Sequence, residues 1–352
     1  MYSLIILPNS LSDVKKTLLN IIKIAVPLFV GIYITWAVFG QLPPEDQESL
    51  FQSLEKADYR WIALSIVFGV LSHMSRAYRW QFLLSPLGYR VRFMNSFFSV
   101  MIGYLINLIL PRAGEVSRCG IMSRYEKISF SKLFGTVIAE RIADVTILST
   151  IMIVVIFTQL ATIKGLVLSI LPQNIDINNL LMIIGLTGAM FVILGIIIYQ
   201  VIKRSANSVI VKIKGIMMGF VDGVKSIVQM EQSGKFIFHT FFIWTMYITM
   251  FYVCFFSLEA TSNVPLGGIL AAFAVGGLSI IFIQGGIGIY PVAIMKVLLL
   301  YGVADGPGGA LGWIIWTSQT LMLLLLGLIS ITAISWYNRK FPVNENAEPN
   351  PV

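Results

Sequence analysis

The chain has 352 residues, of which 57% are hydrophobic and only 12% charged, with a formal net charge of +8. A soluble chain would carry about a quarter charged residues, and a membrane β-barrel would alternate apolar and polar positions in segments of about ten, so both are excluded. Apolar runs of about 20 residues, the length that crosses a bilayer as a helix, recur along the whole sequence and point to an all-α, polytopic membrane bundle.

The first run covers residues 18–40 and opens among Lys15, Lys16 and Lys23. It is longer than a signal-peptide core and lacks a small-x-small cleavage pattern, so it reads as a retained helix. The loop that follows is acidic, with Glu45, Asp46, Glu48, Glu55 and Asp58 against Lys56 and Arg60. Basic loops stay in the cytoplasm, so the amino terminus is expected inside and this loop outside.

The second run, 61–84, carries Arg76 and Arg79 three residues apart, hence on one helix face, with His73 one turn earlier. Two readings stand. The arginines can snorkel to the cytoplasmic boundary beside an aromatic belt of Tyr78 and Trp80. Alternatively, their planar forks can grip a lipid phosphate.

The third run, 93–110, has basic residues on both sides: Arg90 and Arg92 before it, then Arg112, Arg118, Arg124, Lys127 and Lys132. A simple crossing would put one basic cluster outside, and the later basic loop from Lys203 to Lys235 as well. Residues 93 to about 120 are therefore expected to be re-entrant, entering and leaving on the cytoplasmic side with a turn near Pro111. Proline ends the incoming helix by removing an amide donor, and Gly114 frees the backbone before a new helical turn from Glu115. Glu115 and Arg118 can then pair, and the helix start offers amides and a positive dipole end to an anion.

The run at 133–159 holds Glu140, Arg141 and Asp144, the two carboxylates sharing a face and Arg141 turned about 100 degrees away. No further acid or histidine completes a metal or catalytic set, so the arginines of neighbouring segments are the expected partners. A run at 180–202 precedes residues 203–235, where Val209, Ile213, Ile216, Met217, Phe220, Val224 and Ile227 recur at helical spacing. This stretch reads as a cytoplasmic amphipathic interfacial helix whose Lys212, Lys214 and Lys225 serve as a plain positive-inside anchor or, in a second reading, hold anionic lipid.

After the run at 236–258, Gly276, Gly277, Gly285, Gly286, Gly288 and Pro291 interrupt the apolar region 264–303. Glu259 and Asp305 flank it, which suggests a second re-entrant hairpin opening outward. The last run, 309–337, ends at Arg339 and Lys340, so both termini are expected in the cytoplasm. The whole comes to about six full spans plus two broken segments, about eight membrane segments in one domain over 15–340, with a disordered tail at 341–352. Interrupted segments in each half suggest an inverted repeat with a site at the membrane midplane.

Cys119 and Cys254 have no companions at disulfide or metal spacing, His73 and His239 are isolated, and no G-x-x-x-x-G-K-[ST] loop occurs. No catalytic residue, cofactor or metal site is expected, and the basic excess needs no nucleic acid, since anionic headgroups account for it.

In this order, S-R-A-Y-R-W at 75–80, G-Y-L-I-N-L-I-L-P-R-A-G-E-V-S-R at 103–118, A-E-R-I-A-D at 139–144 and G-G-I-G at 285–288 resemble the lysylphosphatidylglycerol synthase transmembrane, or flippase-like, family. The resemblance runs from about residue 15 to 340. It implies a bacterial or archaeal inner-membrane protein related to the membrane half of multiple peptide resistance factors, which moves aminoacylated phospholipid between leaflets. It carries over Asn107, Pro111, Arg112, Gly114, Glu115 and Arg118, then Glu140, Arg141 and Asp144, then Gly285, Gly286 and Gly288. The glycine element is usually followed by an Arg-Glu pair, where this chain has Ile289, Tyr290 and Pro291. No synthase domain follows residue 340, so lipid movement without lipid synthesis is expected, with a separate lipid-modifying enzyme as a possible partner.

The leading expectation is a lipid translocase in which Arg76, Arg79, Arg112 and Arg118 hold a headgroup phosphate while Glu115, Glu140 and Asp144 orient the arginines or meet a cationic group. The rival is an enzyme or accessory protein of a polyprenyl-linked or lipid-linked sugar pathway. A scaffold with no transported substrate is a third reading.

Overall fold

A computed structural model describes residues 29–110, 112–159, 230–282 and 284–342, together with Thr162. The run at 180–202, most of the 203–235 helix, Pro111 and the tail beyond Pro342 lie outside the described residues. Within them the chain is helical, without strands.

The helices are α1 (Phe29–Gln41), α2 (Pro44–Lys56), α3 (Tyr59–Leu84), α4 (Phe93–Ile109), α5 (Ala113–Glu126), α6 (Phe130–Thr158), α7 (Ser233–Cys254), α8 (Leu266–Phe282), α9 (Ile289–Leu299) and α10 (Asp305–Lys340). Three segments are long and apolar enough to cross a membrane: Phe130–Thr158, Ser233–Ser257 and Asp305–Lys340. The acidic stretch after the first run is not a loop but the helix α2. Pro44 sits in its first turn, where a missing amide costs nothing, and Glu45 and Asp46 complement the dipole there.

Apolar side chains gather into two main cores. One joins Leu50, Ile62, Phe255, Val264, Ile294, Leu298 and Leu311; the other joins Trp80, Leu84, Met122, Ile128, Leu133 and Phe236. The first contains the start of α3 and the start of α10. The second contains the end of α3 and the start of α6 and α7, so the cores mark opposite ends of the bundle.

Each glycine-bearing break folds its two helices back on one another. Helices α4 and α5 pack together, and Arg92 before α4 pairs with Glu126 at the end of α5 at 3.0 Å. Their open end lies with the second core. Helices α8 and α9 pack likewise, with Ile269, Leu298 and Val303 in the first core, so this hairpin opens at the other end of the molecule. The turn Gln284–Gly286 between α8 and α9 reaches α4.

Glycine positions show what allows such close packing. A Cβ on Gly114 would run into the Gly103 carbonyl and the Asn107 side chain, and one on Gly312 would meet the Pro291 backbone at 2.7 Å. About four turns further along α10, a Cβ on Gly327 would meet Leu105 of α4 at 2.5 Å. Thus α10 carries α9 near its start and α4 further along. Gly288, at φ 73°, touches Gly31 and Thr35 of α1, and α1 thereby closes over the second break.

Candidate functional site: a buried arginine–carboxylate network

The centre of the network is Glu140, a side chain with 0% exposure on α6. Its Oε1 accepts from Arg76 at 2.8 Å and Arg141 at 3.0 Å, and it lies 3.5 Å from Arg79; its Oε2 accepts from Arg118 at 2.9 Å. One turn later, Asp144 accepts from Arg76 and, through Oδ1, from Arg79 at 3.0 Å. The shared face of the two carboxylates follows from their four-residue spacing, and that of Arg76 and Arg79 from their three-residue spacing. Two helix faces thus meet charge to charge, and α5 adds Arg118 from the side.

Neutral groups complete the shell. Arg79 donates to Thr240 at 2.9 Å and its guanidinium lies over Phe236, while Arg76 lies against Tyr247. The Arg118 guanidinium stacks 3.9 Å from the Trp80 ring centroid, and Trp80 donates to Thr136 at 2.8 Å. Residues of α3, α5, α6 and α7 are tied together in one place.

Depth and charge set the energetics. Arg76 lies eight residues before the end of α3, roughly 12 Å along a helix at 1.5 Å per residue, and is 3% exposed. An unpaired charge at such depth is costly, so each is held by at least one partner of opposite sign. The balance is nevertheless unequal: four guanidiniums surround two carboxylates, an excess of two positive charges. The Nε–H groups of all four arginines also lack an acceptor among the described residues. Buried donors are rarely left so.

The network adjoins the first break. A cleft of about 10 Å³ is lined by Tyr104, Asn107, Gly114, Glu115, Arg118 and Arg141. That is room for about one water, so entry of anything larger requires the α4–α5 hairpin to shift. Asn107 accepts from the Gly114 amide at 2.7 Å and approaches Glu115 at 3.4 Å, bracing the turn from α4 into α5.

Several expectations are corrected at this site. Arg76 and Arg79 do not snorkel; they are 3% and 0% exposed because the α6 carboxylates hold them inside. Trp80 belongs to no aromatic belt, being fully buried against Arg118. Arg118 pairs with Glu140 rather than Glu115, since Glu140 offers a fully buried bidentate partner. Arg141 does not turn away: its flexible stem brings the guanidinium back to Glu140 and to 3.6 Å from Asp144.

At the break itself, the helix begins at Ala113, and the left-handed backbone belongs to Arg112, at φ 58°, not to Gly114. Gly114 is needed instead for its contact with Gly103. The helix start is not an open anion cradle, because the Gly114 amide is taken by Asn107 and the Ala113 amide by Leu110.

The structure therefore brings Arg76, Arg79, Arg118, Glu140, Arg141 and Asp144 together, with Asn107 and Glu115 at their edge. Arg112 stays exposed outside the network. Gly285, Gly286 and Gly288 form the second break, where Trp316 donates to the Gly285 carbonyl at 2.7 Å, and they contribute no group to the arginines. Tyr104 and Tyr247 were not singled out from the sequence, yet they meet His73 and Arg76 from two further helices. Tyr104 precedes Asn107 by one turn on the same face, a spacing that could have marked it.

Comparison with known proteins agrees with this framework. A UPF0104 membrane protein of Pyrococcus horikoshii is 27% identical over 321 residues, covering 82% of this chain and 88% of that one. A UPF0104 membrane protein of Methanocaldococcus jannaschii is 29% identical over 136 residues, which span 38% of this chain and 37% of its own length. No solved structure matches the chain. The family model described as the lysylphosphatidylglycerol synthase TM region matches residues 20–327, which include both breaks and every charged residue of the network, and the chain belongs to that family of membrane proteins.

Proposed function

We propose that this protein binds the phosphate of an anionic or aminoacylated phospholipid headgroup at the arginine network and passes the lipid between the leaflets of a bacterial or archaeal inner membrane. The observation that carries this reading is the excess of two positive charges in the network beside the cleft at the first break, with Arg76, Arg79 and Arg118 buried and Arg141 partly exposed at its edge. A phosphodiester brings a negative charge and several acceptor oxygens, which is what the excess and the unpartnered Nε–H groups call for. Glu115, half-buried at the same cleft, is placed to meet the ammonium of an aminoacyl headgroup.

In this reading the α4–α5 and α8–α9 hairpins are re-entrant segments opening to the cytoplasmic and outer sides, and both termini are cytoplasmic. Backbone breaks at membrane depth are tolerated where protein covers them, and here the second break packs against α4 and α1. The headgroup would cross between the two breaks while the acyl chains stay in the bilayer. A separate enzyme would supply any aminoacylated lipid.

The test is headgroup translocation in proteoliposomes, with labelled phosphatidylglycerol, its lysyl ester and phosphatidylcholine compared. Arg118→Gln and Arg141→Gln, each leaving Glu140 with three other arginines, are expected to slow the preferred phospholipid by about tenfold or more, the scale of one charge-assisted contact to phosphate. Folded variants that translocate at the wild-type rate would refute the reading.

A further inference from the structure

A second polar concavity lies at the end of the bundle where α5 and α10 finish. It encloses about 420 Å³, within the usual size range of small-ligand sites, and shares no residue with the cleft at the network. Arg124, Lys127 and Arg339 line it with Tyr125, Ser335 and Asn338. None of the three cations is ion-paired among the described residues.

Two helix C-termini meet here, and exposed carbonyls there would ordinarily repel an anion. Arg92 removes that obstacle. Its guanidinium donates to the Phe341 carbonyl beyond α10, to the Tyr125 carbonyl in the last turn of α5 at 3.3 Å and to Asn338 Oδ1 at 2.6 Å. Its Nε also pairs with Glu126, which accepts in addition from Asn95. One carbonyl at each helix end, together with Asn338 Oδ1, is thus taken by the half-buried Arg92. The cavity is lined by three cationic residues and by the Tyr125 and Ser335 hydroxyls, which share a hydrogen bond at 3.4 Å.

We infer that this concavity is a phosphate-binding site distinct from the network, taking a phosphate group either on a lipid headgroup at the bilayer edge or on a small soluble molecule. A basic rim that only attracts the membrane surface would need no cavity and no arginine holding a carbonyl at each of the two helix ends. The guanidiniums of Arg124 and Arg339 supply planar forks suited to phosphate oxygens, and Lys127 adds a point charge.

Retention by the detergent-purified full chain tests the inference, read by native mass spectrometry with two probes: phosphatidylglycerol and inorganic phosphate. The Arg124→Gln/Arg339→Gln double variant is compared with Lys340→Gln, which removes an exposed charge from the same helix end but outside the cavity. The changed residues are exposed, so folding is expected to persist, and an unaltered melting temperature verifies it. The double variant is expected to weaken retention of the bound probe about tenfold or more while Lys340→Gln changes it less than about twofold. Preference for the lipid or for free phosphate then identifies the source. Equal losses in both variants would mean general surface attraction and would overturn the inference, as would failure of the wild-type chain to retain either probe. Because the network is intact in all three proteins, lipid translocation can persist when this site fails.

Discussion

Glu140 carries more contacts of opposite charge than any other carboxylate among the described residues, and the behaviour of the network turns on it. Removing its charge leaves four guanidiniums with Asp144 alone. Breaking a buried pair in this way costs about 3–5 kcal/mol, because the remaining charges stay desolvated. Glu140→Gln is therefore expected to lower the melting temperature in detergent sharply or to abolish a monodisperse species on size exclusion. A fall too small to distinguish from that of a surface variant such as Arg112→Ala would show that the network is not what holds α3, α5 and α6 together. The charges themselves were legible in the sequence, since 3- and 4-residue spacings fix which side chains share a face. Their pairing was not, because the choice of Glu140 over Glu115 for Arg118 depends on how α5 lies against α6.

At the level of the helix hairpin, the turn between α4 and α5 assigns opposite roles to neighbouring residues. Arg112 occupies the left-handed region at φ 58°, which costs a non-glycine residue of the order of 1 kcal/mol. Gly114 is surrounded by the Gly103 carbonyl and Asn107. Arg112→Gly should accordingly raise stability by about 0.5–1 kcal/mol, whereas Gly114→Ala should lower it by about 1–3 kcal/mol through overpacking. Thermal unfolding of the two variants in one detergent checks the pair, and the same sign for both would contradict the geometry. From sequence, the break between 110 and 113 could be found because proline and glycine punctuate an apolar run. Which residue bears the unusual torsion could not, since composition favours glycine for that part and here a backbone contact has already claimed it.

For the whole molecule, the basic and acidic flanks predicted two re-entrant hairpins opening to opposite sides of the membrane, and the two helices at each break do pack together. The acidic connection at 44–56 was missed as a helix because its many charges give it a low mean hydropathy and were read as marking a loop, although Leu50 and Leu54 recur one turn apart on a single apolar face. Orientation in the membrane can be measured with little background, since Cys119 and Cys254 are both 0% exposed. A cysteine at Ser129, beside the first hairpin's open end, is expected to react with an impermeant maleimide only after cells are opened. One at Asn263, beside the second, is expected to react from outside. Labelling of both from the same side would exclude the opposed arrangement.

The 36-residue helix α10 bears on both breaks at once. Gly312 seats the α9 backbone and Gly327 seats Leu105 of α4, fifteen residues and roughly 22 Å apart along one continuous rod. The two hairpins hang on a common post, and neither contact leaves slack for an intervening side chain. A side chain added at Gly312 would push on α9 and one added at Gly327 on α4, so a change anywhere on this one rod is felt by a hairpin at each end of it.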